Sequence, residues 1–199
     1  MTPDEALALL REGNAAFLRG AMATPDTSPS RRLNLAQGQS PFCAYLTCSD
    51  SRVPPELLFG RGLGELFIIR NAGNTIDTVA RGSIEFAVAV LGVPLIVVMG
   101  HEACGAVKAA MSVVESNARF PGAIGTMLEP IIPAVLEARD SNGDPTAEAV
   151  KSNVRRVVRG LREASAPILL SPLAEGKLKI VGAYYSLSTG EVEFFADSE

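Results

Sequence analysis

The sequence predicts an α/β fold: a mostly parallel sheet with helices over both faces. Two observations carry that expectation. Apolar runs of strand length alternate with stretches of helical periodicity, and the runs are continuous rather than polar at every second residue, as in strands buried on both sides. In addition, the first and third runs each end in a short polar turn rich in reactive side chains, Cys48-Ser49-Asp50-Ser51-Arg52 and His101-Glu102-Ala103-Cys104. The carboxyl ends of parallel strands are where the loops of such sheets converge into sites.

In chain order, residues 3–19 predict a helix, with Pro3 in its first turn, Asp4 and Glu5 at the positive end of its dipole, and Ala6, Leu9, Leu10 and Phe17 at helical spacing. Residues 20–41, rich in Pro, Ser, Thr, Gly and Arg, read as a long irregular arm. An amphipathic helix on such an arm suits packing on a partner subunit. Phe42 to Thr47 is the first strand, ending at Cys48. Pro54-Pro55-Glu56 opens a short helix to Phe59. Glu65 to Arg70 and Pro94 to Met99 are the second and third strands, separated by a helix from Val79 to Leu91. Helices follow over Cys104–Ser116, Ile124–Ala138 (interrupted by Pro130 and Pro133), Thr146–Ala164 and Pro167–Ala174. Lys177 to Tyr185 and Glu191 to Phe195 form a terminal hairpin across Ser188-Thr189-Gly190. No repeat or linker divides the chain, so residues 1–199 are expected to form one domain, with 1–41 as helix and arm and 42–199 as an α/β core.

Composition narrows the function. Hydrophobic residues at 47%, charged residues at 20% and a net charge of −4 describe a compact chain without the clustered basic face of a nucleic-acid binder; Arg31-Arg32 and Arg155-Arg156 are only doublets. The longest apolar run, Val93 to Met99, is too short for a membrane span. The acidic start, Thr2-Pro3-Asp4-Glu5, is unlike a signal peptide, so a cytoplasmic protein is expected. Three cysteines favour metal or catalytic use over a disulfide framework.

If the first and third strands are neighbours, Cys48, His101 and Cys104 meet at one point, His101 and Cys104 from a single turn. Two thiolates and an imidazole are a zinc set, and three protein ligands leave a fourth position open, as in catalytic sites. Asp50 and Arg52 stand beside the first ligand. Asp50 can accept the proton of a metal-bound hydroxide and orient it, or it can occupy the open position as a fourth ligand. Arg52 can hold Asp50 in a two-pronged charged pair that decides between these roles. Cys43, five residues before Cys48, is expected to be core.

At these residues the sequence resembles the β-class carbonic anhydrases. The likeness runs through Cys48-Ser49-Asp50-Ser51-Arg52-Val53-Pro54, Phe67-Ile68-Ile69-Arg70-Asn71-Ala72-Gly73-Asn74, Gly82-Ser83-Ile84-Glu85-Phe86-Ala87-Val88, Gly100-His101-Glu102-Ala103-Cys104-Gly105-Ala106-Val107 and Val181-Gly182-Ala183-Tyr184-Tyr185. The resemblance implies zinc on Cys48, His101 and Cys104, an Asp50–Arg52 catalytic dyad, and reversible hydration of carbon dioxide to bicarbonate. It implies strand order 2-1-3-4 with a later antiparallel strand, and a projecting N-terminal helical arm that lies across the partner of a homodimer or dimer-based oligomer. Gln39, Phe67, Ala72, Phe86 and the backbone N–H of Gly105 correspond to the family's substrate pocket. Ala72 and Phe86 stand where valine and tyrosine are frequent. Tyr45, Arg70 and Tyr185 correspond to a noncatalytic regulatory anion site, with Tyr45 where that subgroup has tryptophan. The same site on some relatives hydrolyses carbon disulfide or carbonyl sulfide. A zinc protein used only for assembly is the alternative from another class, and it leaves the Asp50–Arg52 pair without a purpose.

Overall fold

The structure, a computed structural model, describes residues 1–163 and 167–195. Five strands form one sheet in the order β2-β1-β3-β4-β5. These are β1 (Cys43–Cys48), β2 (Leu66–Asn71), β3 (Leu95–His101), β4 (Lys179–Tyr185) and β5 (Val192–Phe194). The first four run parallel, and β5 closes the edge antiparallel to β4. Every residue of β1 and β3 is buried, which explains why those runs carry no polar alternation.

The helices are α1 (Pro3–Leu18), α2 (Pro29–Leu35), α3 (Pro55–Phe59), α4 (Thr78–Ala89), α5 (Gly105–Ser116), α6 (Ala123–Leu128), α7 (Ile132–Glu137), α8 (Pro145–Arg162) and α9 (Pro167–Ala174). One face of the sheet, with Cys43, Tyr45, Val97, Met99 and Ala183, packs under α1, α3, α5 and α7. The other, with Ala44, Leu46, Ile96, Val98 and Ile180, packs under α4, α9 and the second half of α8. Among the described residues no helix is long and apolar enough to cross a membrane.

Three expectations change. The arm 20–41 is not wholly irregular: the Ser28 hydroxyl accepts the Arg31 N–H and caps α2, with Pro29 in its first turn. The helix expected over 124–138 breaks into α6, a 3-10 turn at Glu129–Ile131 and α7, because Pro130 and Pro133 each remove a backbone donor. The sequence places a helix to Ala164; α8 runs to Arg162, and Ala164 lies outside the described residues.

The N-terminal helix is seated on the core of its own chain. A reciprocal capping box of Thr2 and Glu5 starts α1. Its Ala6 and Leu10 are fully buried on the chain's own core. At Gly13 the helix meets α3 so closely that a Cβ would lie 2.2 Å from the Phe59 carbonyl oxygen. At the next residue, the Asn14 amide donates to the Gly190 carbonyl (2.9 Å) and accepts from the Val192 N–H (2.9 Å), tying α1 to the β4–β5 hairpin.

Candidate metal centre

β1 and β3 pair directly, with Thr47 opposite Met99, so the chain leaves the sheet at Cys48 and at His101 side by side. After β3 the turn tightens through Ala103, whose φ of +55° is a conformation that residues with a Cβ seldom adopt. The turn delivers Cys104 to the cap position of α5. The candidate ligand atoms of Cys48, His101 and Cys104 all lie within 4.8 Å of one another, and all three residues are buried.

The donor set fits zinc. The two sulfurs are 4.0 Å apart, close to the roughly 3.8 Å that tetrahedral coordination with bonds of about 2.3 Å requires. Nδ1 of His101 lies 2.9 Å from the Glu102 carbonyl and donates its proton there, which leaves Nε2 as the bare lone pair. Among the described residues that Nε2 is buried without a hydrogen-bond partner, a cost that coordination removes. The hydrogen bond from the Cys104 thiol, aided by His101 and the Gly73 N–H, lowers Cys48 to about 4. The same pairing with Cys48, and burial, push Cys104 up. A dication is what lets both buried sulfurs carry charge at once.

Asp50 faces this cluster, with Oδ2 3.9 Å from His101 Nε2. Arg52 grips both carboxylate oxygens, Nε to Oδ1 at 2.9 Å and Nη2 to Oδ2 at 2.7 Å, and its own N–H adds a third bond at 3.0 Å. The Arg52 hydrogen bonds hold Asp50 well below the usual carboxylate range. Arg70, exposed at the end of β2, donates to the Cys48 carbonyl (2.9 Å) and the Asp50 carbonyl (2.5 Å), so it fixes the backbone of the same turn.

The other residues singled out from sequence are divided. Ala72 precedes Gly73, whose N–H reaches the Cys48 sulfur, and Gly105 follows Cys104 at the start of α5. Phe67 and Phe86 stack with centroids 6.2 Å apart, but on the sheet face opposite Cys48 and Cys104. Gln39 lies in an exposed groove with Arg32, Leu35 and Leu63, and no metal-ligand candidate lines that groove. Tyr45 is fully buried with its hydroxyl on the Met99 sulfur (2.9 Å). Tyr185 is buried beside His101 in the β3–β4 register. Cys43 is fully buried in the core and outside the ligand cluster.

Sequence reasoning gave no role to Glu102, Asn71, Gly73 or Asn153. The Glu102 carboxylate accepts from Ser186 Oγ, Ser188 N and Ser188 Oγ at 2.9 to 3.0 Å and fastens the ligand turn to the β4–β5 hairpin. Asn71 closes its loop on Thr75 with two bonds. The only signal for either was a polar residue inside a motif, which also fits an exposed turn.

A carbonic anhydrase family model matches residues 43–192. A carbonic anhydrase of Mycolicibacterium smegmatis is 40% identical over 191 residues, spanning 96% of this chain and 92% of that protein. Carbonic anhydrase 2 of Mycobacterium tuberculosis is 40% identical over 188 residues, 94% of this chain and 90% of that one. Among solved structures, one of two tetrameric β-carbonic anhydrases from Sordaria macrospora superposes with a TM-score of 0.76 at 28% identity, over 85% of this chain and 87% of that chain. The sheet order, the Cys-His-Cys cluster at its carboxyl edge and these likenesses agree, and the chain belongs to the β-class carbonic anhydrases, a family of enzymes.

Proposed function

We propose that the chain catalyses the reversible hydration of carbon dioxide to bicarbonate and a proton, with one zinc held by Cys48, His101 and Cys104 and with Asp50 and Arg52 as the catalytic dyad. The observation that carries this reading is the Asp50 carboxylate, clamped by Arg52, with Oδ2 3.9 Å from His101 Nε2 beside three converging ligand atoms. Zinc, when bound, supplies a Lewis acid that lowers the pKa of a coordinated water from about 15.7 toward about 7. Because Arg52 occupies both carboxylate oxygens, Asp50 is held back as a hydrogen-bond acceptor that aims the attacking oxygen, rather than filling the fourth position itself. Ala72 and the Gly105 N–H flank the place where substrate arrives.

The remaining pocket residues, Gln39, Phe67 and Phe86, come from a second copy of the chain in this reading. The placement of Phe67 and Phe86 on the opposite sheet face, and of Gln39 in a groove that no ligand candidate lines, supports it, as does the apolar surface of α4, where Phe86 is 47% exposed and Val79 77%. Apolar rings suit carbon dioxide, which offers little polarity to grip, and Gln39 can donate to an oxygen as charge develops. The helix and arm of residues 1–41 work with the core as one unit, in a cytoplasmic setting that keeps the cysteines reduced; all three are free.

The chain has a single histidine, and it is a ligand. Proton release therefore depends on water, buffer or a carboxylate. Stopped-flow hydration of carbon dioxide by the zinc-loaded chain should accelerate and then saturate as an imidazole-type buffer is raised at constant pH. A rate that ignores the buffer under proton-limited conditions contradicts this route. A higher kcat/KM for carbonyl sulfide or carbon disulfide contradicts the substrate assignment.

A further inference from the structure

The loop that follows β2 is held from two sides. Asn71 binds the Thr75 backbone through both its oxygen and its nitrogen, which closes the loop on itself. Between them, Gly73 turns at a φ of +78°, and a Cβ there would lie 2.6 Å from Ile131 Cδ1 and 3.1 Å from Ala106 Cβ. The conformation and the space both require glycine. The Gly73 N–H is aimed at the Cys48 sulfur, 3.4 Å away. Its carbonyl points the other way and accepts from Asn153 Nδ2 at 2.9 Å.

Asn153 has no local reason to be an amide. It lies on α8, whose other buried residues are Ala149, Val150, Val154, Val158 and Leu161, and it is 2% exposed. Burying an amide costs free energy unless it is hydrogen-bonded, and an apolar residue of the same size would fill the position without that demand. The helix is also closely seated. At Gly100, one residue before His101, a Cβ would lie 2.5 Å from Val150 Cγ1 and 2.9 Å from Val154 Cγ2. Asn153 is thereby fixed relative to the end of β3.

We infer that Asn153 is a positioning residue for the Cys48 ligand: it holds the Gly73 carbonyl, and so aims the Gly73 N–H at the sulfur. The inference rests on the reading of Cys48 as a metal ligand. An N–H directed at a thiolate stabilises its charge and fixes the lone pair that faces the metal. Outer partners of this kind are worth about 10- to 100-fold in metal affinity or activity. Asn153 acts through backbone, at one remove from the ligand and eighty residues from Gly73 in sequence.

The test uses Asn153→Leu and Asn153→Ala, with Val158→Ala as a control that thins the same helix without touching the hydrogen bond or the seat at Gly100. Zinc affinity is measured by competition with a chromogenic chelator, and the thiolate-to-metal charge-transfer band is recorded on the cobalt(II)-loaded proteins. Wild type with one cobalt and a thiolate band establishes the ligand reading; its absence sinks that reading first. Given the band, the inference expects about 10- to 100-fold weaker zinc binding and a shifted band in a folded Asn153 variant, with Val158→Ala at wild-type values. Wild-type affinity and band in either folded Asn153 variant overturn it, as does an equal change in Val158→Ala.

Discussion

Asp50→Ala is expected to lower kcat for carbon dioxide hydration by about 10²- to 10⁴-fold, the range for loss of a positioned proton acceptor, while zinc content stays unchanged. Asp50 is not one of the three converging ligands; it touches the site through its hydrogen-bonding capacity, with Arg52 holding both oxygens. The pH dependence of the loss is also fixed. Arg52 holds the Asp50 pKa below the ordinary carboxylate value of about 3.9. A depressed carboxylate stays charged as pH falls until its lowered pKa is reached, so Asp50 does not titrate between pH 6 and 9. The variant's deficit should be constant across that range. An increase in activity on removing Asp50 would mean that it blocks the open position instead. A deficit that grows or fades between pH 6 and 9 would mean that its charge changes there.

Cys104→Ser is expected to weaken zinc binding by more than about 100-fold, beyond what an outer partner contributes, and to abolish activity in proportion to the zinc lost. A hydroxyl does not replace a thiolate as a soft ligand at neutral pH. The fold should survive, because two apolar clusters on opposite faces of the sheet hold it independently of the metal. Cys43→Ala supplies the contrast. Cys43 is as buried as Cys104 but lies outside the ligand cluster, so its loss should change stability and not zinc content. Chelator competition and inductively coupled plasma spectrometry on the two variants separate the roles. Equal zinc in wild type and Cys104→Ser would remove Cys104 from the centre.

The parts of the molecule that were legible in the sequence are those written in local pattern. Continuous apolar runs mark β1 and β3 because both faces of each are covered, and soft donors at the ends of those runs are conspicuous because thiols and an imidazole have few reasons to gather there. Asp50 and Arg52 are two residues apart, so their pairing can be read from spacing alone.

What stayed hidden depends on contacts between distant segments. The docking of α1 on its own chain rests on Gly13 against Phe59 and on Asn14 against the hairpin, 176 and 178 residues away. The same holds for Glu102, whose partners lie 84 to 86 residues on, and for Asn153. In each case a common residue type becomes specific only once the sheet has brought its partner close. The short helix α2 was missed for another reason: a Ser-Pro cap inside a Pro- and Ser-rich arm has the same composition as a loop.

The central claim is that the open position beside Asp50 hydrates carbon dioxide. Its most direct test is stopped-flow measurement of carbon dioxide hydration between pH 6 and 9, on protein loaded with graded amounts of zinc. The account predicts a rate that rises linearly with bound zinc to one equivalent per chain and stops there. Full zinc occupancy with no hydration above the buffer rate at any pH in that range would contradict it.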